Sequence, residues 1–431
     1  MSIYQELSAR WDNLSKPFLI KDDQTVYFKD LKGSLKTELS VIQPGDTVAL
    51  IGDFHATSIS TLIKLIDQNV IIVPLTTDTR HDHSYFFESA GVNFVIEGTT
   101  VISVCDDYLQ HSFVRELRQK RKPGLVLFST GTTGRPKAIL HDFTVFLQRF
   151  ETARPTLRTL NFMLFDHIGG INTLLHTLYN TGTIIAINDR NIDNVLKVIE
   201  KNQVELLPTT PTFLRMLLLS GYVPERIPKC LKIITYGTER MDQPTLDAFC
   251  DLLPDVDFRQ TFGMSELGIV RVKSENRNSL FMKVGGEGIE TRIDEGVLKI
   301  RSQTRMLGYL NAPSPFDDDG WYNTKDIVEQ KGDYIKVVGR DSEVINIGGL
   351  KFMASQVERK VLEYKGVNFV KAIAKENPIT GQHLELVVQT DDDQFSRQAL
   401  KSFLKDQLPK HMVPSIIKLG NIDVGHRFKK L

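Results

Sequence analysis

The stretch Ser129-Thr130-Gly131-Thr132-Thr133-Gly134-Arg135-Pro136-Lys137 is the part of this sequence best equipped for chemistry. Glycines let a backbone approach a ligand closely and turn successive N–H groups toward an anion. The hydroxyls of Ser129, Thr130, Thr132 and Thr133 add short donors, and Lys137 adds a point charge suited to phosphate. Residue types and order therefore read as a phosphate clamp. The spacing does not fit Gly-x-x-x-x-Gly-Lys-Ser/Thr, which excludes the common nucleotide-binding loop. On composition alone, a solvated Gly/Thr turn is the alternative.

A scaffold must hold that loop. Residues 125–128 are apolar and read as a buried strand leading into it. Upstream, residues 47–52, 70–75 and 94–96 read as strands, with Ile59, Leu62, Ile63 and Ile66 at helical spacing between the first two. Strand–helix–strand succession implies parallel pairing with helices on the faces. Downstream, Phe165-Asp166-His167-Ile168-Gly169-Gly170 opens an apolar helix, and residues 183–187, 204–207 and 231–235 read as further strands. Asp193 is the predicted cap of the intervening helix. Loops following such strands are where open α/β sheets collect ligands. Beyond about residue 280 short Gly- and Asp-rich turns separate apparent antiparallel strands. Residues 341–431 then suffice for a small domain: helix 354–364, strand 384–389, a helix around 398–407 and strand 416–419.

The chain is 431 residues long, more than one hydrophobic core usually organises. Lys plus Arg and Asp plus Glu both total 53, so nothing electrostatic favours nucleic acid or an anionic membrane. Cys105, Cys230 and Cys250 lack metal spacing and favour a reducing cytosol. Met1 is followed by polar sequence rather than an apolar signal region, and no apolar run approaches the roughly 20 residues of a membrane span. The expectation is a cytoplasmic protein without a transmembrane segment.

The 129–137 stretch resembles the Ser-x-Gly-Thr-Thr-Gly-x-Pro-Lys signature of the adenylate-forming superfamily: acyl- and aryl-CoA ligases, peptide-synthetase adenylation domains and luciferases. Further motifs follow in the family's order. Gly237-Thr238-Glu239 is similar to its Gly-x-Glu adenine-site loop, and Phe262-Gly263-Met264-Ser265-Glu266 to its Tyr-Gly-x-Thr-Glu. Trp321-Tyr322-Asn323-Thr324-Lys325-Asp326 is similar to Gly-Trp-Tyr-x-Thr-Gly-Asp, with Gly339-Arg340-Asp341 beyond it. Leu408-Pro409-Lys410-His411-Met412-Val413-Pro414 is similar to Leu-Pro-x-x-Met-x-Pro. The resemblance implies an α/β fold: a large N-terminal domain, residues 1–340, of parallel-rich sheets with flanking helices and a β-subdomain. A small mobile α+β domain, residues 341–431, would pivot at Asp341.

The implied activity is that of an AMP-forming acid–thiol ligase, in which a carboxylic acid and MgATP give acyl-AMP and then a thioester of CoA. A carrier-protein phosphopantetheine is the alternative acceptor, an amino acid the alternative substrate, and a weakly catalytic nucleotide-binding paralogue the alternative of another class. The resemblance makes Ser129 to Gly134, Lys137, Gly237, Thr238, Glu239, Thr261, Phe262, Gly263 and Ser265 nucleotide contacts. Glu266 would hold Mg²⁺ by hard oxygen ligation. Phe262 would offer a face to adenine, Asp326 would accept from the ribose hydroxyls, and Arg340 would donate to ribose or phosphate. His167 would border the carboxylate, in a pocket with Asp166, Gly237, Gly263 and Met264; taken alone, it reads equally as a satisfied structural residue. Asp166 matches the Phe-Asp pair that binds an α-amine in amino-acid adenylation domains, whereas His167-Ile-Gly-Gly fits acyl-CoA ligases better. Gly348 and Gly349 would open the thiol tunnel.

Departures from the pattern are concentrated late in the chain. Lys325 replaces a Gly, Val297 a Glu, and Ala354-Ser355-Gln356 the usual Pro-x-Glu. The terminal Gly-Lys has become Phe428-Lys429-Lys430-Leu431. By register, with an aliphatic residue following, Lys430 matches the catalytic lysine, and Lys429 adjoins it.

Overall fold

The computed structural model describes residues 2–34, 37–105, 107, 110–129, 134–425 and 427–429. The β-branched and leucine-rich runs Thr47–Ile51 and Ile71–Leu75 are buried at every position, as strands covered on both faces must be. They pair in parallel with each other, with Phe94–Glu97 on one side and Gly124–Phe128 on the other. The helix Ala56–Asp67 crosses between them and buries Ile59, Leu62, Ile63 and Ile66.

Pairing at the clamp is antiparallel within a parallel-rich sheet. Gly124–Phe128 runs antiparallel to Ala138–Asp142, which in turn pairs antiparallel with Gly308–Tyr309. A parallel crossover needs about a dozen residues or more, which the 129–137 connection cannot supply. The described ends of the clamp thus connect two adjacent antiparallel strands.

A second sheet contains Thr159–Asn161, Ile184–Ala186, Leu206–Thr209, Ile233–Tyr236 and Asp257–Gln260, all paired in parallel. The distant Leu19–Lys21 joins it beside Ile184–Ala186. The helix predicted after residue 190 is capped by Asn191 rather than Asp193. The Asn191 side chain accepts the Asn194 N–H at 2.8 Å, leaving Asp193 in the first turn, where a carboxylate suits the helix dipole. An N-terminal helix, Ile3–Trp11, was not anticipated. Ser2 and Gln5 form its capping box, Ile3, Leu7 and Trp11 are buried, and Trp11 Nε1 donates to Leu178 O at 2.8 Å.

An antiparallel sheet of Val272–Ser274, Met282–Val284, Tyr334–Arg340, Tyr322–Lys331, Val297–Ser302 and Ile289–Asp294 has its own core. Beyond Arg340, the hairpin Val344–Ile347 and Leu350–Met353 leads to a sheet of Phe369–Asn377, Gly381–Gln389 and Ile416–Leu419. Helices Ala354–Leu362 and Arg397–Gln407 share one apolar core with that sheet. The small domain rests on the large one through Arg215, whose guanidinium donates to the Val367 and Asn368 carbonyls at 2.9 and 3.0 Å.

Candidate active site

Strand pairing closes the clamp. Ser129 N–H donates to Lys137 O, and Lys137 N–H donates back to Ser129 Oγ, both at 3.1 Å. Thr130, Gly131, Thr132 and Thr133 lie outside the described residues. Tyr85 Oη and Asn311 Nδ2 both donate to Pro136 O, holding the descending arm. The Lys137 ammonium lies 4.8 Å from the centre of the Tyr309 ring, a cation–π contact. The Tyr309 hydroxyl donates to Glu266 Oε1 at 2.7 Å. Burial, and then the Glu266 carboxylate, push the Tyr309 phenol well above its ordinary value, so it stays a donor. One buried ring thus links the two residues proposed to handle phosphate and metal.

Ser265 and Glu266 are held by their backbones. His141 is buried and hydrogen-bonds Ser265 O through Nε2 at 2.7 Å. Desolvation lowers its pKa to about 4, so the imidazole is neutral and Nε2–H is the donor. Met306 N–H donates to Glu266 O at 2.8 Å. Among the described residues no group of three or more His, Cys, Asp or Glu could cage a metal. A single carboxylate fits an ion that takes its remaining ligands from phosphate oxygens and water.

The parallel strand ends deliver the next loops. Gly237 follows Ile233–Tyr236, and a Cβ there would lie 2.1 Å from Thr261 Oγ1, so only glycine lets these loops meet. Thr261 N–H donates to Tyr236 O at 2.7 Å. Glu239 Oε1 accepts from Thr212 N–H at 2.7 Å, tying its loop to the start of helix Pro211–Leu219. Phe262 and Met264 are half-buried against the core of the antiparallel sheet. Gly263 lies in the same strand, Phe262–Met264.

Asp326 and Arg340 are direct cross-strand partners, with Arg340 Nε 3.2 Å from Asp326 Oδ1. Asp326 is buried, and its desolvation outweighs the Arg340 charge, raising its pKa to about 6. Lys325 keeps a left-handed φ of 60° at the position where the family has Gly.

Asp166 and His167 precede helix Ile168–Tyr179, and both are buried. His167 is the N-cap: its Nδ1 accepts the Gly169 N–H at 3.0 Å, leaving Nε2 as the protonated nitrogen. Burial, then the Arg427 and Lys429 charges, hold its pKa well below the ordinary imidazole value. Asp166 accepts from Arg427 of the C-terminal tail at 3.0 Å. Phe162, Met163, Leu164, His167, Arg190, Arg427 and Phe428 enclose a cavity of about 10 Å³, room for roughly one water.

Lys430 lies outside the described residues. Its neighbour Lys429 is partly buried, and desolvation with the Arg427 charge lowers its pKa to about 8. Glu239 opposes that shift and Arg340 adds to it, so the Lys429 ammonium senses the loops that carry both residues. The Gly348–Gly349 turn stands apart from these contacts. Both glycines are exposed with positive φ, and Gly348 N–H donates to Thr380 of the same domain at 2.9 Å. The residues missed from sequence are Tyr309, His141 and Arg427. None has a local pattern, because each meets its partner across a long stretch of chain.

This architecture is that of adenylate-forming enzymes. The o-succinylbenzoate CoA synthetase of Bacillus subtilis, solved with an acyl-adenylate intermediate, shares it at a TM-score of 0.77 and 19% identity, covering 99% of this chain and 96% of that one. Residues 34–309 match the AMP-binding enzyme family, and the chain belongs to that family. The 4-coumarate–CoA ligase 3 of Oryza sativa subsp. japonica is 22% identical over 317 residues, 65% of this chain and 57% of the relative. The fatty acid–[acyl-carrier-protein] ligase MmaC of Mycobacterium marinum is 25% identical over 339 residues, 66% of this chain and 62% of the relative. The chain therefore spans less than two thirds of the length of these curated relatives. No helix among the described residues is long and apolar enough to cross a membrane.

Proposed function

We propose that this protein is an ATP-dependent acid–thiol ligase that activates a carboxylic acid as acyl-AMP, releases pyrophosphate and passes the acyl group to the thiol of CoA. The observation that carries this reading is the convergence of Lys137, Tyr309 and Glu266 with the Asp326–Arg340 pair and the tail lysine around family-specific loops. Attack of a carboxylate on the α-phosphate brings two anions together, so charge neutralisation dominates the barrier. Lys137 and Arg340 supply fixed cations, and a tail lysine supplies a movable one. Glu266 would hold Mg²⁺, which when bound neutralises phosphate charge. Neutral His167, its Nδ1 committed to the Gly169 N–H, has Nε2–H to offer a carboxylate without adding charge.

Domain alternation belongs to the same reading. Residues 1–340 and 341–431 form the two units, with Asp341 as the hinge, and rotation would exchange the tail lysine for the Gly348–Gly349 turn. The names of relatives support both acceptors, CoA and an acyl carrier protein. One observation favours an acid without an amine. The guanidinium of Arg427 occupies Asp166 Oδ2, the position where an α-ammonium would need to bind.

The test is carboxylate-dependent ATP–pyrophosphate exchange across aryl, medium-chain acyl, dicarboxylic and amino acids. Exchange with one acid class, followed by thioester formation on adding CoA or a loaded carrier, is expected. ATP binding without exchange for any acid would favour the nucleotide-binding paralogue.

A pH dependence follows from Asp326. Its carboxyl is charged only above about 6, whereas in the unfolded chain it ionises near 3.8. As the proposed ribose acceptor, Asp326 gains a proton as pH falls through about 6 and loses acceptor capacity. The KM for MgATP should therefore rise below that pH with kcat less affected, and Asp326→Asn should flatten the profile. A KM independent of pH between 5 and 8, roughly the interval bracketing that titration, removes Asp326 from the role.

A further inference from the structure

The last described residues are anchored to the large domain in three ways. Arg427 makes an ion pair with Asp166 at 3.0 Å, with side-chain exposures of 11% and 4%. Phe428 packs its ring against the touching pair Phe162 and Phe213, at centroid distances of 5.2 and 5.7 Å. Its carbonyl accepts from Thr210 Oγ1 at 2.7 Å. Within the tail, Phe428 N–H donates to Gly425 O at 2.8 Å and Gly425 N–H to Lys429 O at 2.9 Å.

These anchors hold an unfavourable backbone. Phe428 has φ of 52°, a region that bulky residues avoid because Cβ crowds the following carbonyl. Such a conformation persists only where the surroundings over-determine it. Its consequence is a sharp change of direction. Arg427 points to Asp166, and the next side chain but one, Lys429, senses Glu239 and Arg340.

The ion pair is poorly made for stability. Asp166 Oδ1 and Arg427 Nε are both buried and have no hydrogen-bond partner. A buried pair that leaves polar atoms unpaired recovers little of its desolvation cost, but it does specify register. Arg190 lines the same cavity, and its charge senses Asp166, so the carboxylate remains compensated when the tail departs.

We infer that Arg427 is a positioning residue for adenylation, latching the C-terminal tail to Asp166 so that Lys429 meets the reacting centre. The inference rests on the adenylation reading above for its kinetic consequence, but the latch itself does not. Asp166 then serves the tail rather than an amine, and tail docking is sensed beside the proposed acid pocket.

The first measurement needs no substrate. Hydrogen exchange of the C-terminal peptide is followed by mass spectrometry in the full chain, as wild type, Arg427→Met, Arg427→Lys and Asp166→Asn. Exchange near Phe428 should quicken by about tenfold in Arg427→Met and Asp166→Asn and by less in Arg427→Lys. The second measurement is pyrophosphate exchange with an acid active in the panel. Arg427→Met should lower kcat by roughly 10-fold or more, because small misplacements of a catalytic group are costly, with KM for ATP little changed. Thioester formation from chemically supplied acyl-adenylate should survive.

Wild-type behaviour of Arg427→Met in either measurement overturns the inference. So does an equal loss in Arg427→Lys, since a retained cation should rescue the pairing. If no acid supports exchange in the wild type, the ligase reading fails, and the C-terminal hydrogen exchange alone decides whether Asp166 holds the tail.

Discussion

Replacing Lys429 with alanine is expected to lower carboxylate-dependent pyrophosphate exchange by roughly 10²-fold or more, with substrate binding nearly intact. A cation acting on charge that builds between carboxylate and α-phosphate is worth most in the transition state, so kcat should fall while KM holds. Register against the family selects Lys430 for this role, and the partial burial of Lys429 within electrostatic reach of Glu239 and Arg340 supports its neighbour. The two single variants decide between them. Lys429→Ala should carry the deep loss and Lys430→Ala a mild one; the reverse result assigns the role to Lys430. Full activity in both would make these lysines a solvated tail.

A pH profile adds an independent reading. The Lys429 ammonium is depressed from 10.5 to about 8 by desolvation and then by Arg427. Below about 8 it is charged and effective; as pH rises through that value the proton is lost and adenylation should fall, well before an exposed lysine would titrate. Lys429→Arg should remove that alkaline limb, because a guanidinium stays protonated. An alkaline limb unchanged in Lys429→Arg would assign the titration elsewhere.

Glu266→Gln is expected to slow adenylation by a comparable factor, roughly 10²-fold or more. Glutamine preserves the shape and still accepts the Tyr309 hydroxyl, but it removes the charge a hard cation requires. The loss should therefore persist at saturating MgATP and appear as weaker Mg²⁺ dependence. Unchanged exchange at saturating Mg²⁺ removes Glu266 as the metal ligand. Tyr309→Phe separates position from charge: it leaves the carboxylate but frees it, so a smaller loss with a raised Mg²⁺ requirement is expected.

Local sequence by itself determined which loops could carry the chemistry. The apolar run before Ser129, the short hydroxylated loop and Lys137 are contiguous, and Gly237 follows a strand that is recognisable from its own composition. Asp326 and Arg340 belonged to one motif series, and the antiparallel hairpin then made them direct partners. Direction of pairing was less accessible, because it depends on the length of the connection. The 129–137 connection is too short for a crossover, so the strands on either side of it pair antiparallel next to the parallel pairs of the same sheet.

Tertiary structure alone decided which side chains meet. Tyr309 reaches Glu266 because the short strand Gly308–Tyr309 pairs with Ala138–Asp142, and neither residue advertises the other. His141 reaches Ser265 O in the same way. Arg427 and Asp166 are separated by 261 residues, and in sequence Arg427 reads as part of a basic tail. Hydrophobic periodicity and turn chemistry are written over a few neighbouring residues, so they can be read locally. Charge pairing, desolvation and the pKa values they produce depend on distances through space, and those exist only once the sheets and the tail have packed.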